Sequence, residues 1–178
     1  MVSNAPQAFA LERAKRLGIP SLVVDAERKL TADEFSREAF TAAEVARSDL
    51  VVLAGFLRLL VIPEGWIGRV LNIHPALLPA FGGKGFYGDK VHAAVLASGA
   101  SETGCTVHYV TNEYDAGPIV LQRCVPVRFD DTPETLAARV FEEEKLALPE
   151  ALRLHLSGAV RLEGGRVVRK SAASRGSS

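Results

Sequence analysis

The chain has 178 residues, enough for one domain with a substantial core. Lysine plus arginine equals aspartate plus glutamate at 21 each, so the formal charge is zero and nothing favours nucleic acid or a membrane surface as a partner. No basic, apolar leader opens the chain, and no apolar run approaches the roughly 18 residues that a membrane helix needs. We therefore expect a cytoplasmic protein that acts on a small polar metabolite.

The first third of the chain alternates predicted helices and strands. Residues 1–4 are too short to predict an element, whereas the apolar spacing over 8–17 is helical. A short buried strand is predicted at 21–24, and a capping box opens a second helix over 31–46. The continuous apolar run 50–54 is typical of a strand covered on both faces.

The remainder continues the alternation. It predicts a helix at 91–97, strands at 105–110 and 119–127, a long helix at 132–156, and a hairpin over 160–169 with a glycine turn of primed type. Alternating strands and helices indicate an α/β fold with an open, mostly parallel sheet flanked by helices and an antiparallel edge.

One strand of this sheet ends in two polar side chains. The stretch 70–79 reads VLNIHPALLP, and residues two apart on a strand point to the same face, so Asn72 and His74 leave the strand together. Open α/β sheets bind ligands at that end of their strands. An amide that donates hydrogen bonds, beside an imidazole that exchanges a proton near neutral pH, suits acyl-group chemistry.

Asp115 is a third candidate, in the turn-forming segment 111–118. If it meets His74, the opposite charge fixes the tautomer of the imidazole and raises its pKa. The plainer interpretations are a turn-forming aspartate and a structural histidine after a strand. His92 on a helix and His108 inside a strand are alternative catalysts of lower rank.

The sequence also contains two loops whose roles it does not decide, and two cysteines. The apolar segment 57–60 after a strand is either core under a loop or the wall of a slot for a flat ring. The glycine-rich loop 82–88 lacks the spacing of a phosphate-binding motif, so its role stays open. Cys105 and Cys124 lack the spacing of a zinc site and are predicted to be buried, reduced thiols, with no metal expected.

Three motifs in one order closely resemble the glycinamide ribonucleotide transformylases, the folate-dependent formyltransferases of purine synthesis. They are LAGFLR at 53–58, NIHPALLP at 72–79 and DAGP at 115–118. The resemblance runs from about residue 2 to the hairpin near 169. It implies a single formyltransferase catalytic domain over 1–170, and 171–178 are predicted to form a disordered tail.

The resemblance also implies the reaction. A formyl group passes from 10-formyltetrahydrofolate, the co-substrate, to the amine of glycinamide ribonucleotide by direct attack. His74 is the implied proton donor, Asp115 raises its pKa, and Asn72 holds the formyl oxygen. Glu144 and Pro75 are the implied contacts of the acceptor. No metal, nucleic acid or membrane takes part, and the protein is a monomer or homodimer.

The folate site implied by the resemblance draws on three segments of the chain. Its residues are Arg37, Leu57, Arg58, Leu59, Leu60, Val110, Thr111, Asn112, Glu113 and Tyr114.

The front of the chain departs from the family. Members begin with a strand, a loop that cradles the substrate phosphate, and a helix, which have no counterpart here, so we expect an incomplete chain with a gap in its sheet. The alternatives are a formyltetrahydrofolate hydrolase, which shares the fold and the trio, and a non-catalytic folate-binding remnant. Methionyl-tRNA formyltransferase is disfavoured, because it adds a C-terminal domain and needs a positive surface.

Overall fold

A computed structural model describes residues 1–24 and 30–170, so the tail predicted at 171–178 lies outside the described residues. A 3-10 turn at Glu64–Trp66 precedes the fourth strand. The strands and helices follow in the order β1 (Val2–Ser3), α1 (Phe9–Arg16), β2 (Leu22–Val23), α2 (Ala32–Val45), β3 (Val51–Ala54), β4 (Val70–His74), α3 (Asp89–Ser98), β5 (Glu102–Tyr109), β6 (Ile119–Pro126), α4 (Pro133–Leu156), β7 (Val160–Glu163) and β8 (Arg166–Arg169).

The main sheet has the strand order β3-β4-β5-β6 and is mixed. β3 and β4 are parallel, but β5 runs antiparallel to both β4 and β6, so the prediction of a mostly parallel sheet is wrong. The connection 75–101 returns to the end of the sheet where β4 finishes, because His74 pairs with Thr106 near the start of β5. A helix between two strands therefore did not make them parallel neighbours.

The front of the chain forms a separate two-stranded parallel sheet of β1 and β2. The 1–4 segment thus contains a strand that the sequence did not predict, and Leu22 and Val23 are exposed rather than buried. β3 is an edge strand within the described residues, and its side chains alternate between partly buried and exposed. The prediction that 50–54 is covered on both faces is therefore wrong.

Helix termini follow their capping sequences. The Thr31 side chain accepts from the backbone N–H of Glu34, and the Glu34 carboxylate accepts from the backbone N–H of Thr31, which confirms the capping box of α2. Thr132 caps α4 in the same way, with proline at the first helical position. The hairpin β7–β8 is confirmed, and Arg169 donates to the carbonyl of Val120 at 2.8 Å, which ties the hairpin to β6.

The larger hydrophobic cluster lies between α4 and the strands β4 to β6. Leu71, Val107 and Tyr109 from the sheet are fully buried there with Leu136 and Val140 from the helix. No helix in the described ranges is long and apolar enough to cross a membrane.

The two cysteines differ in exposure. Burial raises the pKa of the Cys105 thiol to about 12, which is consistent with an inert core residue. Cys124 is exposed because β6 is an edge strand of the sheet, so the prediction that both thiols are buried is half wrong.

Truncating Leu136 to alanine should destabilise the protein by about 2–5 kcal/mol, because the helix and sheet cannot fully collapse onto the space it leaves. Urea unfolding monitored by circular dichroism measures the change. Phe129→Ala is the control, since that side chain is fully exposed and should cost no more than about 0.5 kcal/mol. Equal effects of the two substitutions would contradict the assignment of this core.

Candidate active site

Asn72 and His74 lie at the C-terminal end of β4, one strand in from the sheet edge β3. Their antiparallel partners on β5 are His108 and Thr106 respectively, so these four side chains share one face of the sheet. Asn72 is half-buried, and His74 is 4% exposed. Both side chains line a cavity of about 690 Å³, here called the large cavity.

Asp115 comes from the loop between β5 and β6 and meets the same place. Its Oδ2 lies 3.6 Å from Nδ1 of His74 and accepts a hydrogen bond from the backbone N–H of Gly83 at 2.9 Å. The side chain of Asp115 is 13% exposed, and its backbone is left-handed, with φ at 52°. The structure therefore brings Asn72, His74 and Asp115 together.

Two glycines allow the loops to approach this closely. A Cβ on Gly117 would overlap the carbonyl oxygen of Tyr109, and a Cβ on Gly82 would overlap the side chain of Leu78 and lie 3.2 Å from that of Asp115. Any other residue at 117 would push the Asp115 loop off the sheet, and any other residue at 82 would require the Leu78 side chain to turn away and Asp115 to shift by a few tenths of an ångström.

The ring of His74 is oriented by a carbonyl. Its Nε2 lies 2.8 Å from the carbonyl oxygen of Phe81, and a carbonyl only accepts, so Nε2 carries a hydrogen. Nδ1 faces Asp115, and it carries a hydrogen only when the ring is an imidazolium. A charged His74 would place that proton between the two side chains.

His108 is also part of this site, although the sequence ranked it below His74 as a candidate catalyst. It is 2% exposed, and its Nε2 lies 3.1 Å from Nδ2 of Asn72 and 3.7 Å from Oδ1 of Asp115. Burial lowers the pKa of His108, against weaker opposing effects from its hydrogen bond to Tyr109 and the charge of Asp115. Its place opposite Asn72 depends on strand register, which the sequence does not give.

Most residues of the predicted folate site surround a second, small cavity of about 40 Å³, which also borders Asn72, His108 and Asp115. The predicted residues in its wall are Arg58, Leu59, Leu60, Val110, Thr111, Glu113 and Tyr114.

The other three predicted folate contacts lie elsewhere. Leu57 lines the large cavity. Asn112 accepts a hydrogen bond from the backbone N–H of Ile62 at 2.7 Å and so joins the loops 55–62 and 110–118. Arg37 is exposed on α2 and is not among the residues that line either cavity.

The predicted acceptor contacts both line the large cavity. Pro75 follows His74 directly, and Glu144 projects from α4 on the opposite wall. Burial raises the pKa of the Glu144 carboxyl. His92 also lines this cavity, and burial lowers its pKa. Across 1–24 and 30–170 there is no group of three or more histidine, cysteine, aspartate or glutamate residues that could hold a metal ion.

Comparison with known proteins identifies relatives of this chain. A family described as formyl transferase matches residues 1–152. The chain is 44% identical over 170 residues to the trifunctional purine biosynthetic protein adenosine-3 of Gallus gallus. It is 46% identical over 149 residues to the chloroplastic phosphoribosylglycinamide formyltransferase of Arabidopsis thaliana. The crystal structure of glycinamide ribonucleotide transformylase 1 from Symbiobacterium toebii matches with a TM-score of 0.87 and 39% identity.

These matches cover most of this chain but different shares of the relatives. The match to the Gallus protein covers 94% of this chain and 16% of that protein. The match to the Arabidopsis protein covers 81% of this chain and 50% of that protein. The match to the Symbiobacterium structure covers 96% of this chain and 79% of that one.

The matched length and the shared α/β fold with its C-terminal hairpin show that the chain belongs to the formyl transferase family. Within that family it is similar to the glycinamide ribonucleotide transformylases, which confirms the resemblance read from the three sequence motifs.

Replacing Glu144 by glutamine should remove a pH-dependent cost of folding. Because burial raises the pKa of this carboxyl, the folded protein keeps its proton to a higher pH than the unfolded chain does. The stability contributed by Glu144 is therefore lost as the pH rises from the unfolded to the folded pKa. Relative to wild type, Glu144→Gln should gain stability across that window and hold the gain at neutral pH.

Urea unfolding at a series of pH values measures this difference. Glu142→Gln is the comparison variant on the same helix, since that side chain is 66% exposed, pairs with Lys145 at the surface and lacks the burial that Glu144 has. A stability difference between wild type and Glu144→Gln that is constant from acid to neutral pH would contradict the burial argument.

Proposed function

We propose that this chain catalyses transfer of the formyl group of 10-formyltetrahydrofolate to the amine of glycinamide ribonucleotide. The products are formylglycinamide ribonucleotide and tetrahydrofolate, in de novo purine biosynthesis. The observation that carries the proposal is that an amide, an imidazole and a carboxylate meet beside two cavities that both border Asn72 and Asp115, on a chain of the formyl transferase family.

The amine nitrogen attacks the formyl carbon, and a new C–N bond forms while the bond to the folate nitrogen breaks. Negative charge grows on the formyl oxygen as the carbon becomes tetrahedral. An N–H of Asn72 is available to stabilise it, and the Nε2–H of His74 can do so once the ring gives up its bond to the Phe81 carbonyl. No covalent intermediate with the protein is needed, because the attacking amine is itself the nucleophile.

Two protons move in this scheme. The attacking nitrogen becomes cationic and loses a proton, which Asp115 accepts directly or through a water. The leaving folate nitrogen gains a proton, which His74 supplies. Oδ2 of Asp115 lies 3.6 Å from Nδ1 of His74, on the far side of the ring from the Phe81 carbonyl.

The two substrates have different walls to bind against. The large cavity, with Pro75 and Glu144, suits the acceptor, whose ribose hydroxyls can donate to the Glu144 carboxylate. The folate ring is assigned to the small cavity, which Arg58 and Val110 line. The small cavity of about 40 Å³ is below the size of ligand pockets, which hold about 300 Å³ or more, so ring binding requires this side to widen.

The assay supplies 10-formyltetrahydrofolate to this chain with and without glycinamide ribonucleotide. Formylated acceptor supports the proposal. Formate release that does not need the acceptor would assign a hydrolase instead. Folate binding without turnover would assign a non-catalytic binding protein.

His74→Ala should lower kcat for transfer by at least about a hundredfold, because it removes the proton donor and one donor to the formyl oxygen. The Kd for folate, measured by calorimetry, should stay within a few fold, since the folate wall is built from other residues. The thermal midpoint of the variant serves as the folding control. Unchanged kcat in a folded variant would contradict the role of His74.

A further inference from the structure

His108 is the second imidazole at this site, and the reaction scheme above gives it no role. We infer that His108 is a positioning residue: its Nε2 accepts a hydrogen bond from Asn72 and thereby fixes the carboxamide in the orientation that presents an N–H to the formyl oxygen. This inference rests on the proposed function, because the oriented group is the donor that the transfer step uses.

The tautomer of His108 follows from its other ring nitrogen. Nδ1 lies 2.9 Å from the carbonyl oxygen of Tyr109, which can only accept, so Nδ1 carries a hydrogen. A neutral imidazole has one N–H, so Nε2 then presents a lone pair. His108 is 2% exposed, and burial favours this neutral form.

That lone pair decides the orientation of Asn72. The Nδ2 atom of Asn72 lies 3.1 Å from Nε2 and donates to it. In the flipped carboxamide, the side-chain oxygen would face Nε2 instead, and two acceptors would meet without a proton between them. In the described part of the chain Nδ2 has no other hydrogen bond, so its second N–H stays available to a ligand.

The fold holds His108 in place for this contact. His108 and Asn72 are direct cross-strand partners of the antiparallel β4–β5 pair. On the other side of β5, the register with β6 shifts between Val107 and His108, an irregularity of the kind that re-aims a side chain beside an active site. Gly117 lies against the same turn, because a Cβ there would overlap the Tyr109 carbonyl that anchors Nδ1.

Protonation of His108 would undo the arrangement. Its Nε2 would become a donor facing the Nδ2 donor of Asn72, and it would turn to Oδ1 of Asp115, now 3.7 Å away. Asp115 and His74 are the titratable groups that act on the charge of His108. The proposed orientation of Asn72 thus requires His108 to stay neutral.

A double-mutant cycle on kcat tests the inference. His108→Leu should lower kcat by about 10- to 100-fold, because Asn72 is then free to turn. In an Asn72→Ala background the same substitution should have no further effect on kcat, since there is no carboxamide left to orient. His108→Gln, whose side-chain oxygen can take the place of the Nε2 lone pair, should retain kcat within a few fold of wild type.

His155→Leu is the matched control, a partly buried imidazole bonded to Tyr109 at the far side of the sheet, and it should leave kcat unchanged. ¹⁵N NMR of the wild-type ring gives a readout that does not depend on turnover, namely a protonated Nδ1 and an unprotonated Nε2 at neutral pH.

The outcomes separate the two hypotheses. A wild-type protein without transfer activity overturns the proposed function and this inference with it. An active wild type in which His108→Leu and Asn72→Ala act additively overturns the positioning role alone. An NMR result that shows a protonated Nε2 in His108 would also overturn the positioning role. If His108→Leu fails to fold, the comparison of His108→Gln with wild type and the NMR tautomer still decide the question.

Discussion

The carboxylate of Asp115 lies between two buried imidazoles, and the chemistry of the site depends on that placement. One oxygen is 3.6 Å from His74 and the other is 3.7 Å from His108. Little water reaches these groups, so charge on any one of them is felt strongly by the others. The charge of Asp115 favours a second proton on His108, but burial is the larger effect and keeps that ring neutral, and the Tyr109 carbonyl places its one N–H on Nδ1.

β5 lies beside β4 in the sheet and supports this arrangement through side chains two residues apart on one face. His108 contacts Asn72, and Thr106, two residues earlier, donates to the carbonyl of Ala76 at 2.6 Å and accepts from the N–H of Leu78 at 3.0 Å. Thr106 thereby fixes the chain that leaves β4 just after His74. β5 therefore holds Asn72 through His108, and it holds the chain that follows His74 through Thr106.

The sequence predicted what is local. Period-two spacing put Asn72 and His74 on one face, and caps and turn residues predicted α2, α4 and the C-terminal hairpin. The prediction from sequence failed for structural features that depend on contacts between residues distant along the chain. Strand direction was wrong because a connecting helix does not encode it, and β3 proved half exposed because an edge strand has a partner on one side only.

His108 shows the same limit at the site. A histidine inside an apolar strand is usually structural, and only the register of β5 against β4 places it opposite Asn72. β5 itself carries neither proline nor glycine at Val107 and His108 that would have indicated the shift of register there. The contact of His108 with Asp115 depends in turn on a separate loop, whose close approach needs Gly117.

The two walls of the small cavity are not equally free to move. The wall at 58–62 is held by hydrogen bonds to Ser36 at 2.8 Å and to Asn112 at 2.7 Å, and Arg58 lies over the ring of Phe35. On the other wall, within the part of the chain that the structure describes, Glu113 has only long hydrogen bonds of 3.4 Å to Thr111, and Tyr114 is 37% exposed.

Under the proposed function, entry of the folate ring therefore displaces 113–114 rather than 58–62, because fewer strong hydrogen bonds oppose that movement. Asp115 is the next residue along the chain and is tied to Gly83 by its own side chain. Either that bond holds while the backbone turns about Asp115, or the carboxylate shifts with the loop. In the second case, occupancy of the folate wall changes the distance from Asp115 to His74.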